Sequence, residues 1–114
     1  MAQLVAYSST VRNNRITQVL NAIDGSTNAG KLIIYDGTRP ATGGTATTAL
    51  ATFSLGATPG TKPSGSVTGD VLTFANITPV TASATGTATW ARITDSADAF
   101  VADLNVGTSG ADIN

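Results

Sequence analysis

The periodicity of the apolar residues changes once along the chain and does not change back. Ile16, Val19, Leu20 and Ile23 stand at i, i+3, i+4 and i+7, one face of a helix. Ser8, Ser9 and Thr10 offer N-cap oxygens before them, and Gly25 falls where a left-handed C-cap would close the helix. A helix over about 9–24 is predicted, with Arg12, Asn13, Asn14, Arg15, Gln18 and Asn21 on its polar side. After Gly30 the period is two, in short runs separated by Gly, Pro, Asp and Asn. No second helical stripe follows that could carry a parallel crossover. An antiparallel arrangement is therefore expected.

Five or six strands can be read. In KLIIYDG, Leu32 and Ile34 oppose Ile33 and Tyr35, so both faces are apolar and both should be covered. ATGGTATT reads as a flexible connection, and ALATFSLG as a strand facing Ala49, Ala51, Phe53 and Leu55 inward. ATPGTKPSGS reads as an exposed loop, and DVLTFANI and TGTATWARIT as strands. A tight turn at Asp95–Asp98 joins the last of these to AFVADLNVG, where Phe100, Ala102, Leu104 and Val106 should point inward. A short strand, QLVAY, precedes the helix. The expected fold is mainly β: an antiparallel β-sandwich or small barrel, jelly-roll or Ig-like, with one N-terminal amphipathic helix. Residues 1–114 form a single domain, and 107–114 form a C-terminal tail. GTSGADIN looks like a turn leading into a further strand, and the chain stops at Asn114. An open tail, a missing strand and a strand supplied by a partner are the three ways to complete it.

Composition restricts the chemistry. Cysteine and histidine are absent and all seven acids are aspartates, so thiolate sites and imidazole bases are excluded. The net charge is −1 and the six basic residues are scattered, which gives no footprint for nucleic acid. No apolar run is long enough to cross a membrane, and the first residues lack the pattern of a signal peptide.

Gly25 to Lys31 reads G-x-x-x-x-G-K, the opening of a phosphate-binding loop. Leu32 stands where such a loop needs Ser or Thr, and the order is helix–loop–strand rather than strand–loop–helix. A phosphate there would face the negative end of the helix dipole, so Gly25 and Gly30 read as a helix exit and a strand start. Asp95, Asp98 and Asp103 supply oxygens for calcium at a spacing that fits no EF-hand loop, and turn formation explains the first two. Lys31 and Lys62 could serve a serine only at a spacing the chain lacks. Asn76-Ile77-Thr78 is a chance glycosylation triplet in a chain without a signal peptide. No catalytic, cofactor or metal residue is assigned. Trp90 and Tyr35 would make a sugar platform if exposed, and core anchors if buried.

STVRNNRITQVLNAID followed by GKLIIYDGTRP resembles the opening of a family of small structural proteins of tailed bacteriophages and prophages. These open with a V-R-N-x-R helix and a K-L-x-I-Y-x-G-x-x-P strand and turn. The matching residues are Val11, Arg12, Asn13, Arg15, Lys31, Leu32, Ile34, Tyr35, Gly37 and Pro40, all in the first third of the chain. The ending VGTSGADIN is also similar, although members of the family run on through another strand or two.

The resemblance implies a non-enzymatic virion component made in a bacterial host, a capsid decoration or cement protein or a tail accessory. It implies no cofactor. The implied partners are the major capsid protein or other virion proteins and further copies of the chain, with neither nucleic acid nor membrane. Arg12, Arg15 and Trp90 are the residues expected at an interaction surface. An adhesion module binding carbohydrate is the alternative.

Overall fold

The computed structural model describes residues 6–56, 61–75 and 77–113. One helix, α1 (Ser9–Ile23), precedes six strands: β1 (Lys31–Tyr35), β2 (Ala49–Ser54), β3 (Gly65–Thr68), β4 (Val71–Phe74), β5 (Trp90–Thr94) and β6 (Phe100–Asn105). A four-stranded antiparallel sheet has the order β2-β1-β5-β6, and β3 and β4 form a separate antiparallel hairpin. The mainly β, sandwich-like arrangement with one helix is as expected, and no closed barrel forms among the described residues.

Two layers meet over one core. α1 lies on the β3–β4 hairpin and also reaches β6. Between this layer and the main sheet sit buried Ile23, Leu55 and Ile93, with Leu32, Leu72, Phe74, Val101 and Leu104 packed around them. Ile33, Tyr35 and Trp90 form a second buried cluster with Ala46 against it. Strand β1 is thus covered on both faces, as its double apolar pattern requires.

The layers are joined where the helix ends and β1 begins. Ser64, fully buried, gives its N–H to both carboxylate oxygens of Asp24, at 3.1 and 3.2 Å, and its hydroxyl to Oδ1 at 2.5 Å. The same hydroxyl accepts the Gly30 N–H at 2.8 Å, and the Ser64 carbonyl accepts from Ala75. Gly30 must be glycine at this junction. A Cβ there would lie 2.3 Å from Ile23 Cγ2 and 2.7 Å from the Thr94 carbonyl oxygen.

Several expectations are corrected. Asp24, not a left-handed Gly25, caps the helix: its φ is −90° and its N–H bonds the Leu20 carbonyl. Val19 points away from the core at 39% exposure, because the hairpin covers the neighbouring stripe that ends at Ile23. The exposed loop read over 57–66 gives up Gly65 and Ser66 to strand β3. The strand read over 85–94 begins only at Trp90, where its partner β1 ends at Tyr35. Phe100 is 40% exposed, because a bulge opposite Ile93/Thr94 changes the register. Val101 packs on the core in its place.

The C-terminal segment folds back on β6. Ile113 bridges Val106 in parallel, and its N–H bonds the Asn105 carbonyl at 3.0 Å. Most of the strand expected at QLVAY lies outside the described residues, and Ala6 and Tyr7 are not in a strand.

Replacing Gly30 with Ala should cost about 1–3 kcal/mol by overpacking. The midpoint of a urea titration followed by Trp90 fluorescence should fall accordingly. An unchanged midpoint would mean that the junction has room.

Candidate functional site

The G-x-x-x-x-G-K stretch is occupied with internal bonds. The Asn28 N–H bonds Ser96 Oγ at 3.2 Å, and the Gly30 N–H bonds Ser64. Lys31 Nζ lies 2.8 Å from Asp98 Oδ1. These donors and this cation serve the junction between α1 and β1, and the helix–loop–strand order is the one read from sequence.

The aspartates are likewise committed. Asp95 Oδ1 accepts from the N–H groups of Ala97 and Ala99, which closes the β5–β6 turn. Asp98 pairs with Lys31, and Asp103 lies further along β6 against Arg92. The three carboxylates considered for calcium are therefore turned to different donors. No group of three potential metal ligands gathers among the described residues.

Trp90 is fully buried and Tyr35 is 7% exposed. Their rings stack with centroids 4.3 Å apart and planes 14° apart. Residues 36–48 cross this face of the sheet as a strap. Trp90 Nε1 donates to the Asp36 carbonyl at 3.0 Å and to Thr47 Oγ1 at 2.9 Å. Arg92 lies over both the Trp90 ring and the Phe100 ring, its Cζ 5.2 Å from each centroid. Its Nη2 donates to the Gly44 carbonyl at 2.8 Å.

Arg92 Nε meets Asp103 Oδ1 at 2.7 Å, with side-chain exposures of 12% and 4%. The Gly43 N–H reaches the other Asp103 oxygen at 3.3 Å. The stretch read as a flexible connection is thus pinned, because Gly43 and Gly44 bring their backbone down to this ion pair. A stacking platform of Trp90 and Tyr35 is not available on this surface, and Trp90 is a core residue rather than a contact residue.

Burial acts to raise the Asp103 pKa. Hydrogen bonds from Arg92 and Gly43 and the charges of Arg92 and Arg39 outweigh it and hold the carboxyl below its ordinary value. The Asp103 hydrogen bond, against the opposing effect of burial, raises Arg92. Tyr35 is raised, chiefly by burial.

Arg12 and Arg15 lie on the outer side of α1. Arg12 Nε bonds Asp70 Oδ2 at 2.6 Å and its Nη1 bonds the Tyr7 carbonyl. The Asp70 N–H in turn donates to Asn13 Oδ1 at 2.7 Å. Arg12 and Asn13 therefore hold the tip of the β3–β4 hairpin to the helix. Arg15 lies over the Tyr7 ring, 5.0 Å from its centroid. Arg12, Arg15, Ile16, Val19 and Asp70 line an open groove of about 360 Å³.

Asp70 was not singled out in the sequence. Its signal is the Gly69-Asp70 pair between the runs SVT and VLTF. Both residues have positive φ, 59° and 66°, which suits a two-residue hairpin. Compared with family models, curated proteins and solved structures, the chain matches none.

The Arg92–Asp103 pair sets an acid limit to stability. Asp103 has a depressed folded pKa. Its contribution is complete above the unfolded value of about 3.9 and is lost as pH falls through the lower folded value. Asp103→Asn should cost about 3 kcal/mol at neutral pH by leaving Arg92 without its counter-charge. It should also remove part of the loss of stability below about pH 4. Urea midpoints measured across pH check both effects.

Proposed function

We propose that this chain is a non-enzymatic structural subunit of a phage particle, a decoration or cement protein that binds the head and stabilises it. The observation that carries the reading is the number of large apolar side chains it leaves outside its core. Tyr7, Val11, Val19, Val71 and Phe100 are among its exposed large apolar side chains. A subunit with such side chains outside its core gains from neighbours that cover them.

The residues that carry the family resemblance support the same reading. Arg12 and Asn13 grip the hairpin, Lys31 pairs with Asp98, and Tyr35 stacks on Trp90. These are scaffold roles. Val11 and Arg15 face outward instead, where partner proteins would meet them. No observation favours the carbohydrate reading, because both aromatics it requires lie under the strap.

Quantitative mass spectrometry of purified particles should find the chain in a copy number proportional to the capsid lattice, and a reconstruction should locate it on the head. Absence from particles would overturn the proposal. A few copies confined to the neck or tail would replace the head with a tail assignment.

A further inference from the structure

We propose that the strap over the main sheet is a hinged lid: residues 38–46 lift away as a unit, about a base at Asp36 and Thr48, while the sheet beneath stays folded. The closed form is the ground state and the lifted form a minor one. The inference is independent of the particle role proposed above.

The two ends of the strap are tied to each other. The Asp36 N–H donates to the Thr48 carbonyl at 3.2 Å, the Thr48 N–H to Asp36 Oδ1 at 3.3 Å, and the Thr47 hydroxyl to the Asp36 carbonyl. Trp90 Nε1 and the Thr89 hydroxyl fix this base to the sheet. A loop whose ends are joined can lift without disturbing the strands it connects.

The span between the ends is held lightly. No residue of 36–48 is buried, and residues 38–46 make no backbone–backbone hydrogen bond to the sheet among the described residues. Three bonds to side chains hold the span. The Gly43 N–H meets Asp103 Oδ2 at 3.3 Å, Arg92 Nη2 meets the Gly44 carbonyl at 2.8 Å, and Arg39 Nη1 meets the Asp103 carbonyl at 3.4 Å. The ion pair that serves as the latch plate belongs to the sheet itself. Arg92 and Asp103 are cross-strand neighbours on β5 and β6, joined at 2.7 and 3.1 Å, and they stay joined when the span leaves.

Lifting therefore gives up these three bonds and the packing of Ala46 on Ile33, Tyr35 and Trp90. Water replaces the lost partners of every polar group involved. Residues 39–42 and 100–103 line an open cleft of about 290 Å³, so this flank of the span has little packing to lose. Unfolding the sheet would instead uncover both buried apolar clusters. The segment with the least burial opens first. Lifted, it bares the Arg92–Asp103 pair and the part of the Trp90 cluster under Ala46, a surface absent from the closed form.

Amide exchange followed by NMR on the full chain at neutral pH tests the lid. The Gly43 and Gly44 amides should be protected at least about tenfold less than those of the β1–β5 ladder. Their exchange should barely change with urea below the unfolding midpoint, because a lifted strap exposes little surface, while ladder exchange rises steeply. Gly43→Ala places a side chain at a φ of 72° in the closed form. It should lower the protection of the Gly44 amide about fivefold or more. Strap amides that share the urea dependence of the ladder overturn the inference, because the strap then opens only with the whole fold. Strap amides with no protection overturn it as well, because no latch then closes. A Gly44 amide indifferent to Gly43→Ala also contradicts it.

Discussion

Ser64 is closed to solvent and takes part in hydrogen bonds with three separate parts of the chain. Asp24 closes the helix, Gly30 opens the main sheet, and Ala75 follows the hairpin. The fold depends on this convergence because it sets how the layers meet over their shared apolar core. α1 has one fully buried residue, Ile23, and the hairpin is only two strands wide. A two-stranded hairpin is marginal alone, and so is an isolated helix of this length. Each becomes stable by docking on the other and on the sheet. Gly30 permits that docking because Ile23 and the Thr94 carbonyl crowd the place that a Cβ would take.

The opposite face of the sheet is held by different physics. There the strap replaces a second layer of secondary structure, and its anchors are an ion pair and an indole N–H. Asp103 is charged in a nearly dry place because Arg92 and the Gly43 N–H both donate to it. Arg92 is kept there by two aromatic faces. The charged groups are thereby spent on architecture: Lys31, Arg92 and Arg12 each hold two segments together. What remains outward is an apolar stripe of Val11 and Val19 with Arg15 in it. This division of labour is what links the fold to the proposed structural role.

Much of the fold was legible because it is written locally. The helix, the β5–β6 turn at Asp95 and the two-faced strand at Lys31–Tyr35 follow from period and turn chemistry, which need no tertiary information. The losses have tertiary causes. Phe100 was misplaced because a bulge shifts the pattern by one residue, and a single-residue shift moves every side chain to the other face. ATGGTATT read as loose because its glycines look alike whether they confer freedom or allow a close approach to Arg92. Val19 fits the helical stripe perfectly well, and only the position of the hairpin decides that it faces outward. Of the residues expected at a surface, Arg12 and Arg15 lie there and Trp90 does not. An aromatic in mid-strand carries no sign of what will cover it. The Gly69-Asp70 pair is a turn signal that the sequence reading passed over, and the β3–β4 hairpin was missed with it.

The account stands on the claim that Ser64 couples the helix–hairpin layer to the main sheet. Amide hydrogen exchange in Ser64→Ala tests it most directly. The substitution removes the hydroxyl that joins Gly30 to Asp24, at a cost of about 1–3 kcal/mol for groups left unsatisfied. The account predicts that amides of α1, β3 and β4 lose protection together while those of β1 and β5 keep theirs, because the undocked layer opens without the sheet. Equal loss of protection in all strands, or no loss in α1 and the hairpin, would contradict it.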